Sequence, residues 1–115
     1  MIGKIIEISD LSYALVRSLK ILSGNVEVEV EIPVRVLQEA NFYIQKDTNV
    51  EFEVSREAED IEKWHIVMMG EVYLKNEKEG TVFSSLGGLR LVMRSKELYR
   101  DLKVGDKIYF KLRQL

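Results

Sequence analysis

The stretch Ser84–Ser95, SSLGGLRLVMRS, sets two adjacent glycines between apolar runs. A serine close to glycines invites comparison with nucleophile and phosphate-binding loops. Ser85 lacks the flanking glycines of a nucleophile elbow, and no Gly-Lys-Ser/Thr follows, as a phosphate loop requires. Gly87-Gly88 is instead expected to be a two-residue hairpin turn, because both positions can take the positive φ that such turns demand. His65 is the single histidine, and the chain has no cysteine. It therefore cannot build a zinc site, and beside Trp64 in an apolar run it reads as structural. Glu27, Glu29 and Glu31 could in principle supply acid/base chemistry. Their strict alternation with Val26, Val28, Val30 and Ile32 makes them a solvated strand face instead. Lys107, Tyr109, Lys111 and Arg113 alternate along the last strand as a basic stripe with one aromatic. Stacking platforms beside cations are what single-stranded nucleic acid uses on small barrels. No catalytic, metal or cofactor-binding constellation is expected.

The elements that position these residues follow from periodicity. NVEVEVEIP, VEFEV and KIYFKLRQL alternate with period 2. They place Val28, Val30 and Ile32, Val50, Phe52 and Val54, and Ile108, Phe110 and Leu112 on inner faces. Such strands are half-buried and antiparallel. YALVRSLKILSG changes frame between Arg17 and Lys20, which predicts a bulge near Ser18. WHIVMMGEVYLK is apolar on both parities from Ile66 to Met69, as in a strand buried on both faces or curving around a barrel. Gly70 within it predicts a tight bend or a close backbone approach. PVRVLQEANF, with Pro33 at a first helical position, and SKELYRDL, with Ser95 as N-cap, predict short helical connectors. LSGN, NEKEG and KVGDK are turns, and SREAEDIEK is a charged, acidic loop. Seven or eight short strands with this spacing argue for a small barrel or sandwich, and a closed barrel would leave no edge exposed.

Composition sets the bounds. The 115 residues fit one domain, 1–115, and 46% hydrophobic residues suffice for a core. The net charge of −2 exerts no global pull on nucleic acid or membrane. The charge is unevenly placed. Residues 1–74 carry 7 Lys+Arg and 14 Asp+Glu, and residues 75–115 carry 10 and 5. Interleaved strands would average this skew over the surface; a dipolar surface would use it to dock on a partner. The absence of cysteine fits a reducing cytoplasm. Glu7 and Asp10 make the first residues unlike a signal peptide, and no apolar run approaches the roughly 18–20 residues that span a bilayer.

The C-terminal half carries a resemblance. IVMMGEVYLK, SSLGGLRLVMRS and VGDKIYFKLRQL, in that order and at those separations, resemble the eighth subunit of multisubunit DNA-directed RNA polymerases. This is the small barrel subunit shared by the eukaryotic enzymes and present in some archaeal ones. The matching residues are Gly70-Glu71-Val72-Tyr73, the Gly87-Gly88-Leu89 turn and the strand from Asp106 to Leu112. The likeness covers residues 64–115; before that only alternating strands correspond. The short SREAEDIEK loop stands where eukaryotic members have a longer acidic insertion, which points to the archaeal branch. The resemblance implies an all-β, single-domain antiparallel β-barrel, OB-fold-like, with one or two short helical turns. It implies a non-catalytic accessory role in the cytoplasm, docked on the largest polymerase subunit, with Gly87, Gly88 and Leu89 as a docking element. The isolated chain would then bind nucleic acid weakly at most, and no membrane. The competing reading is a free-standing binder of single-stranded nucleic acid on the same barrel.

Overall fold

A computed structural model describes residues 1–11 and 15–115. Its eight strands are β1 (Ile2–Leu11), β2 (Val16–Ser23), β3 (Val26–Pro33), β4 (Asn49–Ser55), β5 (Ile66–Asn76), β6 (Thr81–Leu86), β7 (Leu89–Arg94) and β8 (Lys107–Gln114). They form a closed antiparallel barrel in the order β1-β2-β3-β7-β6-β5-β8-β4, with β4 returning to β1. The fold is thus the all-β, OB-like barrel that the alternating strands and the resemblance led us to expect.

Strict alternation fills the interior. Val28, Val30, Ile32, Val50, Phe52, Ile108, Phe110 and Leu112 are all fully buried. Each of these strands sends every second side chain inward, so one register places a whole apolar row in the core. Helix α1 (Val34–Glu39) follows Pro33, which stands at the cap rather than inside the first turn, and it buries Leu37. Helix α2 (Lys96–Asp101) starts where expected: Ser95 Oγ accepts from the Leu98 N–H at 3.2 Å. A single 3₁₀ turn spans Ile61–Lys63.

The frame change in β2 has another cause than a bulge at Ser18. β2 pairs β3 in unbroken register from Val16 to Ser23, and the irregularity lies in β1, between Ile5 and Glu7. One extra residue in β1 switches its inward parity from Gly3 and Ile5 to Ile8, which pairs with Leu19. Arg17 keeps the inward parity of Leu19 and Ile21 but is only half-buried, and its Nε donates to the exposed Asp10 at 2.7 Å. Tyr13 and Ala14, the start of that predicted strand, lie outside the described residues.

The glycine pair behaves as its sequence predicts. Leu86 pairs with Leu89 across a two-residue turn in which Gly87 has φ 64° and Gly88 φ 95°. Positive φ at both centres is the type I′ signature, whose twist matches the flanking strands. A Cβ at either glycine would meet open space, so the need is conformational rather than steric. Gly88→Val is therefore expected to destabilise the barrel by about 1 kcal/mol or more through backbone strain alone. Urea unfolding measures this, and an unchanged midpoint would show that the turn tolerates a branched residue.

Candidate partner interface

The predicted basic stripe is built on β8, and its neighbour β4 decides what becomes of it. Lys107 is exposed and Tyr109 half-buried. Lys111, however, is only 1% exposed. Its side chain leaves the barrel, but the acidic loop between β4 and β5 folds over it. Lys111 Nζ donates to Glu53 Oε2 at 3.1 Å and to the Glu59 carbonyl at 3.0 Å. Arg113 is bound to Glu51 and lies 5.7 Å from the ring of Trp64, which is itself buried. The cross-strand register explains both pairs: Glu53 stands opposite Lys111, and Glu51 opposite Arg113. The stripe is thus not a continuous exposed cationic surface. Two of its members are neutralised by the alternating acids of VEFEV, a complementarity visible once the two strands are known to be adjacent.

The acidic loop is held by charge. Arg56 Nε donates to Asp106 Oδ2 at 3.1 Å. The Lys103 backbone N–H also donates to that oxygen, at 2.9 Å. The Lys103 amide first, and Arg56 after it, hold the Asp106 carboxyl below its usual range. Within the loop, a hydrogen bond to Glu57 and its charge push Glu59 upward. A polar cleft of about 430 Å³ lies here, lined by Glu53, Glu57, Glu59, Trp64 and Lys111. The Oγ of Ser55, which also lines it, donates to the Glu57 carbonyl at 2.8 Å, and no cluster of three or more potential metal ligands occurs among the described residues.

The Glu27, Glu29, Glu31 row points outward, as its alternation predicts, but it is half-buried rather than freely solvated. Lys20 Nζ lies 3.4 Å from Glu7, 3.6 Å from Glu27 and 4.0 Å from Glu29. Arg94 Nη1 pairs with Glu27 at 2.7 Å. The bond to Glu7, then the charge of Glu27, raise the Lys20 ammonium above its ordinary value. Glu31 accepts from the Arg90 backbone N–H at 2.8 Å, where β3 and β7 part. His65 is exposed; its Nδ1 accepts from the Gln114 N–H at 3.0 Å, and its ring meets Phe42 edge-on.

The hairpin residues Gly87 and Gly88 are exposed, and the Gly88 N–H donates to Ser85 Oγ at 3.1 Å. Leu89 is partly buried against the core. Beside this turn runs β5, where the sequence reading of Ile66–Met69 left two options. The structure decides between them: β5 curves along the barrel wall, with Ile66 and Val72 inside and Met69, Tyr73 and Leu74 about half exposed. A register shift between Val72 and Leu74 turns both Tyr73 and Leu74 outward. Sequence reasoning missed this surface. The signal was present, since Met69 and Tyr73 share their parity with Glu71, and a carboxylate in the row marks the outer face.

A family model for RpbG, the G-type subunit of DNA-directed RNA polymerase, matches residues 1–115. No curated protein matches the chain.

Proposed function

Because the chain belongs to the RpbG family of RNA polymerase subunits, we propose that it is a non-catalytic accessory subunit of an archaeal multisubunit polymerase. It docks on the largest subunit and supports assembly or stability of the transcription complex in the cytoplasm. The observation that carries this reading is the family match, which runs the whole length of the chain. Residues 1–115 act in it as one domain, and the Gly87-Gly88-Leu89 hairpin is a contact element. The role needs no cofactor. Purification of a tagged chain from its own cells tests the reading. The large polymerase subunits should be recovered with it, and cross-linking should identify the largest as its neighbour. Recovery alone, or with nucleic acid only, would overturn it.

The isolated chain should bind short single-stranded DNA or RNA weakly or not at all near about 0.15 M salt. Lys111 is buried and Arg113 is paired, so few free cations remain beside Tyr109. One half-buried ring is a poor platform, since stacking contributes only about 1–3 kcal/mol per base. Fluorescence anisotropy measures this. Submicromolar affinity that falls on Tyr109→Ala would favour a free-standing nucleic-acid binder.

A further inference from the structure

The outer wall of the barrel is of two kinds. Over β2 and β3 most charges have partners, with Lys20 among Glu7, Glu27 and Glu29, Arg94 of β7 on Glu27, and Glu31 on the Arg90 backbone N–H. Over β4 and β8 the same holds for Glu53 with Lys111 and Glu51 with Arg113. The wall centred on β5 differs. Met69, Tyr73 and Leu74 are 54%, 50% and 51% exposed. Tyr109 stands opposite Met69 on β8, and Phe83 opposite Leu74 on β6, its ring 6.4 Å from that of Tyr73. Between these apolar groups runs one polar row: Lys107 opposite Glu71, Glu71 opposite Ser85, and Ser85 opposite Arg90. Lys107 and Arg90 are exposed, and among the described residues neither lies in an ion pair.

An exposed apolar surface beside the charge-paired β4-β8 wall calls for a cover. Methionine and tyrosine are side chains that interface centres favour, and charge belongs to the rim. From this we infer that the β8-β5-β6 wall, centred on Met69, Tyr73 and Leu74, is the face presented to the polymerase, and that its occupant is a polymerase segment of apolar side chains flanked by carboxylates. The inference rests on the function proposed above and adds where the contact lies and what chemistry meets it. The carboxylates follow from charge complementarity, since the side chains of Lys107 and, at the β7 edge of the wall, Arg90 are exposed and lie in no ion pair among the described residues. Nucleic acid fits less well. Met69 and Leu74, central on the wall, offer no ring to a base, and Glu71 would repel phosphate.

The test uses tagged full-length chain expressed in its own cells, with polymerase recovered through the tag after nuclease treatment. The double variant Met69→Glu/Tyr73→Glu should lower polymerase recovery at least about tenfold, as loss of central anchors does. Both sites are surface positions, so circular dichroism and the thermal midpoint should stay near wild type. Lys107→Glu/Arg90→Glu should also lower recovery, and it decides the matter should the apolar double variant fail to fold. Leu22→Glu, the same kind of change at an exposed leucine of β2, should leave recovery unchanged. If wild type recovers polymerase and both double variants do so equally well, the wall is not the interface and the accessory role stands. Equal loss in Leu22→Glu overturns the choice of wall. Loss of recovery on nuclease treatment points to nucleic acid as the occupant. A wild-type chain that recovers no polymerase overturns both readings.

Discussion

Gly70→Ala is expected to destabilise the barrel by about 3 kcal/mol or more, the largest effect of any single methyl group in this chain. A Cβ at Gly70 would stand 2.1 Å from the Ser85 carbonyl oxygen and 2.7 Å from Leu86 Cδ2. A flexible side chain could yield to such an intrusion. The Ser85 backbone cannot, because β6 is tied to β7 on its other side from Thr81 to Leu86. Either β5 leaves β6, or β6 drags β7 and the Gly87-Gly88 turn with it. Gly70 lies between Met69 and the register shift at Tyr73, so the same displacement would disturb the exposed wall. Denaturant unfolding of Gly70→Ala beside Gly24→Ala separates sterics from backbone conformation. Gly24 has φ 58° with open space around its Cβ, and alanine there should cost only about 1 kcal/mol. Equal losses at the two sites would mean that β5 does not press on Ser85.

Lys111→Ala should cost about 2–3 kcal/mol. The substitution empties a buried site, frees the Glu59 carbonyl and leaves Glu53 without its cation. Removing one partner of a fully buried pair costs roughly 3–5 kcal/mol; Glu53 is 48% exposed and rehydrates, which lowers the figure. Lys111→Met keeps the stem and removes the charge, so it should lose clearly less. The acidic loop reports on the mechanism as well. Without its anchor, backbone amides from Glu57 to Lys63 should exchange faster with solvent in both variants. A Lys111→Ala protein of wild-type stability with unchanged exchange would show that the lysine is dispensable for holding the loop.

The two predictions differ in how far they could be reached from sequence. Gly70 in an apolar run already suggested a close approach, because glycine in a strand is costly unless something needs the space. That the intruder is the Ser85 carbonyl became clear only with β5 and β6 paired. Lys111 alternates with Phe110 and Leu112, so its outward direction was legible. Its burial was not, because the cover comes from a loop about fifty residues earlier in the chain.

Local physics explains the division. Alternation in NVEVEVEIP, VEFEV and KIYFKLRQL, the Gly-Gly turn and the Ser95 cap depend on neighbours along the chain. They determined the strands, the turn, the helix start and the inner faces before any fold was known. Strand neighbours across the barrel are set by closure, which joins β1 to β4 and β8 to both β4 and β5. Only that closure laid Glu51 and Glu53 against Arg113 and Lys111, and so broke up a stripe that looked continuous in one dimension. It also showed that β2 keeps one frame throughout, the extra residue of the β1-β2 ladder lying in β1. Met69, Tyr73 and Leu74 are apolar whichever way they point, and hydrophobicity alone could not say whether core or partner would bury them. The curvature of β5 and its register shift decided that they face outward, and left on that wall an apolar surface that the barrel does not cover itself.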